Sequence, residues 1–358
     1  MKQKIEICIL GNGPTARICS FLMKNPHILI GNQENFGLLS KTEITNNSFN
    51  LAPIFPVYNS YLYKELWKDN LEKYDFLNYS KQGNISFEFD NMLPLISNAN
   101  PQSYVAQCLK EKQDIDTKEN IVLAYKLFGK VIFERELHRL LAKVKKNYDG
   151  AKPNKKIGYI NNLSLYYEKV ANIKVDNFFS DEIRKIDVKR KIAYTQTCEI
   201  EYDKLVSTID LRDLLQKTNY PENLNLISSS AYFCLIKTNT ILPINLVIYD
   251  VEIHSPIYRL FTISENFVII QFTSGCQNIK LTQLFPVLYK LLGQIFEIQF
   301  EYRYTIKDVY PIYTSSDTLL QQYKLELEAN NIHLIGRYAE WEYLDLHELN
   351  YSKLNDSI

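Results

Sequence analysis

Much that would announce a function at once is missing from this chain. Its 41 basic and 41 acidic side chains leave a formal net charge of zero, so there is no surplus positive field to grip nucleic acid. The basic cluster from Lys185 to Lys191 is broken by Asp187 and Val188 and reads as a solvated strand edge. Cys8, Cys19, Cys108, Cys198, Cys234 and Cys276 are scattered, with no Cys-x-x-Cys pair and no metal-finger spacing. Free thiols in a reducing compartment are the simplest expectation, and Cys8 and Cys19 read as small buried apolar groups. No apolar run approaches the roughly 20 residues needed to cross a bilayer. The first apolar run carries Glu6 and flows into a glycine turn, unlike a secretory signal. A soluble, cytoplasmic chain is therefore expected. The five histidines show no metal spacing, and no metal is expected. No Ser-His-Asp order, supported carboxylate pair or phosphate-loop lysine can be argued.

What is present begins with Ile5 to Leu10, an apolar run ending in Gly11-Asn12-Gly13-Pro14-Thr15-Ala16 before a helix-like segment. Two glycines one residue apart let a parallel strand turn sharply and let backbone N–H groups approach a pyrophosphate. The helix N-terminus adds partial positive charge at the same place. Ala16 fills the third motif position, where a small residue allows close helix–strand packing. The pattern predicts nucleotide binding, with a purely structural Gly-rich turn as the plain alternative. Pro26 to Gly31 reads as a second buried parallel strand. An acid at that strand's end normally accepts hydrogen bonds from ribose hydroxyls. Gly31 and Asn32 stand there instead, with Glu34 two residues on. The ribose contact is expected to shift to Asn32 or Glu34, or to be made loosely.

A hydrophobic content of 46% with 23% charged residues is ordinary for a globular chain, and 358 residues exceed one simple core, so two packed domains are expected. Periodicity predicts a hairpin over Thr42–Ile44 and Ser48–Leu51, a helix over Tyr58–Tyr74 and strand-like residues 75–100. A helical block over Gln102–Lys145, broken near Asp114–Lys118, precedes a strand at Ile157–Ile160 and a helix over Leu163–Ala171. Ile173–Phe179, Ile183–Val188 and Lys191–Thr197 alternate like antiparallel strands. Asp203–Thr208 reads as a short buried strand before a helix at Leu211–Lys217, and Ala231–Phe272 as a multi-stranded antiparallel sheet. A helix at Thr282–Gly293, a strand at Ile295–Tyr304, a helix ending near Ala329 and a strand at Ile332–Ile335 follow. A last helix is expected from near Asp345. This order predicts an α/β chain with two parts. A discontinuous Rossmann-like nucleotide-binding domain with a parallel sheet would use 1–60, 151–217 and 309–358. An inserted α+β substrate domain with an antiparallel sheet would use 61–150 and 218–308.

The second informative stretch closes the sequence, from Ile332 to Glu348. A strand ending in Gly336-Arg337, a loop, and Asp345 at a helix start suit an anion or a flavin edge, because helix N-terminal amides stabilise negative charge. A strand, a turn and a capped helix with a surface arginine is the plainer reading. The run Gly336-Arg337-Tyr338-Ala339-Glu340-Trp341-Glu342-Tyr343-Leu344-Asp345-Leu346-His347 closely resembles the C-terminal motif of the UDP-galactopyranose mutase family. It is more loosely similar to amine-oxidase-like flavoproteins with a glutathione-reductase-type FAD-binding domain. The opening glycine turn, Tyr202–Thr208, Pro256-Ile257-Tyr258-Arg259 and Tyr310-Pro311-Ile312 also look like segments of that family.

The resemblance implies an FAD cofactor. Gly11, Gly13 and Ala16 would shape the pyrophosphate turn, with Asn12, Pro14, Thr15, Asn32 and Gly37 belonging to the same cofactor site. Gly336, Arg337, Asp345 and Leu346 would lie at the flavin. Arg337 and Tyr343 match positions that hold a substrate diphosphate in the mutase, and Arg259 matches a second clamp; a salt bridge or packed aromatic is the alternative for each. A capping or packing role is expected for His347. Departures are also evident. The family's two loop histidines are Pro53 and Pro56 here, its glycine pair before the central helix is Asn161-Asn162, and no tryptophan occurs between 75 and 150. The implied function is an FAD-dependent oxidoreductase that takes hydride from a small polar or nucleotide-linked metabolite. The alternatives are a mutase-like sugar isomerase using reduced FAD, and a flavoprotein-like scaffold without catalysis. No catalytic residue is assigned. A small-molecule substrate is the expected partner, without nucleic acid or membrane, and homo-oligomerisation is left open.

Overall fold

Along Lys2–Leu10 (β1) alternating exposure gives way to four consecutive buried residues, the signature of a strand running into an interior covered on both faces. The computed structural model describes residues 2–32, 41–44, 47–50, 74–82, 115–128, 157–160, 170, 173, 175, 177–220, 224–243, 246–252, 254–312, 317–344, 349 and 351–354. After β1 come α1 (Pro14–Leu22), β2 (His27–Gly31) and the hairpin β3 (Lys41–Ile44) and β4 (Asn47–Asn50). Then follow β5 (Tyr74–Gln82), α2 (Ile115–Phe128) and β6 (Ile157–Ile160). The middle of the chain supplies β7 (Phe178–Ser180), β8 (Ile183–Asp187), β9 (Ile192–Thr195), β10 (Glu199–Ser207) and α3 (Leu211–Thr218). β11 (Ile227–Thr238), β12 (Leu246–Asp250), β13 (Ile257–Ser264), β14 (Phe267–Phe272) and α4 (Leu281–Leu292) come next. β15 (Ile298–Ile312), α5 (Asp317–Ala329) and β16 (Ile332–Leu334) complete the regular elements.

Two compact units result: Met1–Asp69, Asn162–Ile227 and Pro311–Ile358 in one, Asn70–Asn161 and Ser228–Tyr310 in the other. The first holds a mixed seven-stranded sheet in the order β7-β2-β1-β10-β9-β8, with β16 also paired to β10. β7, β2, β1, β10 and β16 run parallel, while β9 and β8 extend the sheet antiparallel. Cys8, Leu10, Ile28, Ile30 and Leu205 share a buried cluster with Leu211 and Leu214 of α3 and Leu320, Tyr323 and Leu327 of α5. The alternate residues Ile7, Ile9 and Leu29 are buried as well, and α1 packs on β1 and β2. Truncating Leu29 to alanine in such a site costs about 2–5 kcal/mol. α3 is bounded by Asp210, whose carboxylate accepts from Arg212 N at 2.8 Å, and by Asn219 in the left-handed region at φ 51°.

The second unit carries a seven-stranded sheet in the order β15-β11-β14-β13-β12-β5-β6. Leu284, Leu288 and Leu291 of α4 pack on Cys234, Ile236, Ile248, Leu260, Val268 and Ile270 from its strands. On α2, Lys126 is wholly buried; its Nζ donates to Asp250 O at 2.7 Å and lies 3.7 Å from Asp250 Oδ2.

Several elements differ from what periodicity predicts. Phe178–Ser180 joins β2 in parallel, and β12 joins β5 in parallel inside a largely antiparallel sheet. Alternation reports which face is buried, not which way the neighbouring strand runs. α2 begins at Ile115, inside the stretch 114–118 where a break is expected. β15 runs unbroken to Ile312 and absorbs Asp308 at φ 56°. The helices expected within 58–73, 102–114, 129–145 and 163–169 lie outside the described residues, as do the strand-like residues 83–100; of the last helix, expected from near Asp345, the described part is a single 3-10 turn, Tyr351–Leu354. Among the described residues no helix is long and apolar enough to cross a membrane, and no group of three or more His, Cys, Asp or Glu is placed to hold a metal ion.

Candidate functional site

The chain leaves β1 for β2 on one side and later returns with β10 on the other. The carboxyl ends of β1 and β10 are therefore a topological switch point, where open α/β sheets bind ligands. Gly11 sits there at φ 116° and its N–H donates to Ile30 O at 2.8 Å. A Cβ at Gly11 would collide with Thr208 Oγ1. That hydroxyl donates to Leu10 O at 2.7 Å, and Thr208 N donates to the same carbonyl at 3.0 Å. The ends of three strands are thus tied together at one glycine.

Gly13 is the N-cap of α1, with no side-chain cap, and Pro14 opens the helix. Among the described residues, a Cβ on Gly13 would meet nothing within 4 Å. The amide end of the helix therefore faces open space, the condition for an anion to approach backbone N–H groups. Asn12 is 5% exposed and its Nδ2 donates to Asn32 O at 2.8 Å. Its Oδ1 is buried and finds no partner among the described residues. Gly31 is tightly enclosed: a Cβ there would lie 2.9 Å from the Gly11 carbonyl carbon.

The closing motif arrives at the same place. Ile335 N donates to Ser207 O at 3.0 Å, so the chain leaves β16 beside the end of β10. Gly336 follows at φ 121°, and a Cβ there would stand 3.2 Å from Thr15 Cγ2. The Glu340 carboxylate accepts from Gly336 N at 3.2 Å while Glu340 N donates to Gly336 O at 2.8 Å, which locks the turn from both sides. Arg337 Nε donates to Leu344 O at 2.8 Å, and its guanidinium lies 4.7 Å over the Tyr343 ring. Trp341 is fully buried, donates from Nε1 to Ile312 O at 3.2 Å and carries the Arg212 guanidinium 5.0 Å above its ring. Cys8 and Cys19 are fully buried, and burial pushes their thiols up, away from the thiolate form.

Gly11, Asn12, Gly13, Pro14, Thr15, Ala16, Asn32, Gly336, Arg337 and Tyr343 all belong to the first unit, and its two glycine turns meet at Thr15 and Gly336. Arg259 belongs to the second. There its Nε donates to Gln271 Oε1 at 2.7 Å and an Nη to Tyr249 Oη at 3.1 Å. The rings of Tyr249, Tyr258 and Phe261 surround its guanidinium within 5.8 Å. Gly37, Asp345 and Leu346 lie outside the described residues. Thr208 and Glu340 carry the geometry without having been given a role from sequence, and Gly31, noted there only for the missing acid, is enclosed by the turn. A small hydroxyl directly after a buried strand and a glycine closing β2 were the only available signals.

A mixed, mainly parallel sheet with a glycine turn at its switch point and a second, largely antiparallel sheet make this an α/β fold. The chain is similar to reduced UDP-galactopyranose mutase at 16% identity and a TM-score of 0.66, covering 98% of this chain and 91% of that one. It is also similar to putrescine oxidase bound to putrescine, at 10% identity and a TM-score of 0.62 over 99% of both chains. A CLA-producing fatty acid isomerase from P. acnes matches at 12% identity and 0.59, over 98% and 97%. No protein-family model and no curated protein matches the sequence. The chain shares its fold with these enzymes.

Proposed function

We infer that this chain is an FAD-dependent oxidoreductase with a Rossmann-like cofactor domain, acting on a small polar or nucleotide-linked metabolite. The observation that carries this reading is the contact of Gly336 with Thr15, which brings the glycine turns from opposite ends of the chain to one switch point. The residues present fit a dinucleotide. Among the described residues, Gly13 leaves open space at the uncapped start of α1 for a diphosphate, and Asn12 Oδ1 is an acceptor lacking a donor. Gly11, Asn12, Gly13, Thr15 and Ala16 would hold the pyrophosphate end, and Gly336 would let the backbone approach the flavin end. Bound there, FAD supplies a two-electron hydride acceptor. Arg337, held by Leu344 O and stacked on Tyr343, presents a fixed positive charge that orients an anionic substrate group.

The Arg337–Tyr343 stack also favours a second reading. The sequence resemblance implies that these residues match positions holding a diphosphate in the mutase family, so a sugar isomerisation using reduced FAD is compatible with the same site. Anaerobic mixing separates the two. A substrate that bleaches the oxidised flavin band supports oxidation, whereas turnover only after prior dithionite reduction supports isomerisation. A protein that binds FAD and shows neither is a binding subunit.

A further inference from the structure

The sheet of the second unit ends on β15, a neighbour of β11 alone; among the described residues no strand pairs with its other side. Along 298–307, Gln299, Glu301, Thr305 and Lys307 are exposed, and Ile298, Phe300, Tyr302, Tyr304 and Ile306 are only half-buried. Natural edges are protected by being short, by proline or by a bulge. This stretch holds no proline or glycine, and its one left-handed residue, Asp308 at φ 56°, comes after it, where the buried run Val309–Ile312 begins. An edge this long and this apolar is a template for another strand.

The sequence of the edge selects that strand. The run Glu297-Ile298-Gln299-Phe300-Glu301-Tyr302-Arg303-Tyr304-Thr305-Ile306-Lys307 is self-complementary about Tyr302. Two copies laid antiparallel with Tyr302 opposite itself pair Glu301 with Arg303 and Glu297 with Lys307, each twice by symmetry. The same register sets Ile298 against Ile306 and Phe300 against Tyr304. The strand already sorts these side chains by face. Tyr302 and Tyr304 stack at 5.9 Å, continuing the stack of Tyr304 on Phe233 at 5.2 Å. On the opposite face Glu301 Oε1 accepts from Arg303 Nε at 2.5 Å, and the Arg303 guanidinium lies 5.4 Å over the Phe272 ring. A slip of two residues keeps every side chain on its face but saves only one kind of ion pair. With Phe300 at the centre that pair is Glu297 with Arg303, and with Tyr304 it is Glu301 with Lys307.

We propose that β15 is a homodimer edge: two copies of this chain pair antiparallel along 297–307 about a two-fold axis at Tyr302, joining their second sheets into one. The proposal concerns the second unit alone and stands apart from the FAD reading.

The test is sedimentation velocity of the full-length chain over a concentration series, with the native sequence, Glu297→Lys, Lys307→Glu and both changes together. Both side chains are exposed, and extended strand holds them roughly 33 Å apart within one chain, so they meet only across the axis. The native chain should pass reversibly from monomer to dimer as concentration rises. Each single reversal sets like charges opposite one another twice and should weaken dimerisation about tenfold or more. The double reversal should return it to within about threefold of native. A native chain that stays monomeric up to its highest soluble concentration overturns the proposal, whatever strand the edge then serves, and this arm needs no variant to fold. A dimer indifferent to both single reversals overturns it too, as does one that the double reversal fails to restore.

Discussion

Gly336 lies against Thr15, with 3.2 Å separating Thr15 Cγ2 from the place a Gly336 Cβ would take. At φ 121° the glycine also occupies backbone space that L side chains rarely enter. Gly336→Ala should therefore lower stability by about 1–3 kcal/mol and sharply reduce the FAD retained through purification. Adding Thr15→Ser, which removes Cγ2, should restore part of the loss but not the backbone share. Chemical unfolding with flavin quantification checks both, and an unperturbed Gly336→Ala chain would dissolve the link between the turns.

Gly13 provides the opposite case. Its φ of −73° suits any residue, and a Cβ there meets none of the described residues. Gly13→Ala should change stability by less than about 1 kcal/mol yet weaken ADP or FAD binding at least tenfold, since the methyl fills the space a diphosphate needs. Unaltered affinity measured by calorimetry would mean that the open space is not the ligand's.

Arg337 has a structural task and a proposed functional one. Arg337→Ala loses the hydrogen bond to Leu344 O and the stack on Tyr343, worth about 1 kcal/mol together with its neighbours in a partly exposed loop. Substrate affinity should fall far more, and Arg337→Lys should restore charge without the planar fork and recover little. A KM unchanged in Arg337→Ala would remove this residue from the substrate site.

Lys126 sets a pH dependence in the second unit. Desolvation draws its pKa from 10.5 down to about 8, against the opposing pull of Asp250. The unfolded chain keeps that proton up to the ordinary value, so between pH 8 and 10.5 it binds more protons than the folded one. Stability from this group therefore rises with pH across that window and is least below it. Replacing the pair together, Lys126→Met with Asp250→Asn, should stabilise by about 1–3 kcal/mol at pH 7, an advantage that shrinks toward pH 10.5. Buried Cys8 and Tyr202, pushed up by desolvation, work in the opposite sense but cancel between the two chains. Unfolding midpoints from pH 7 to 10.5 check the slope, and a constant difference would show that Lys126 does not titrate there.

The legible parts of this molecule were those whose physics is local. Burial along β1, the glycine spacing at 11 and 13, and the helix at Leu211–Lys217 all act within a few residues. Strand direction was hidden, because the side-chain pattern of Phe178–Ser180 and of Leu246–Asp250 is the same whether their neighbours run parallel or antiparallel. Thr208 was hidden for a different reason: its partner Leu10 lies 198 residues away in sequence. The missing acid at Gly31 is visible in sequence without its cause, which appears once Gly31 is seen enclosed by Gly11 and Asn12.

The account stands most directly on what the purified, full-length protein carries. Its absorption spectrum should show the two visible bands of an oxidised flavin, and denaturation should release FAD near one equivalent per chain, identified by mass. A colourless protein that takes up no FAD on reconstitution, while binding neither FAD nor ADP by calorimetry, would contradict it.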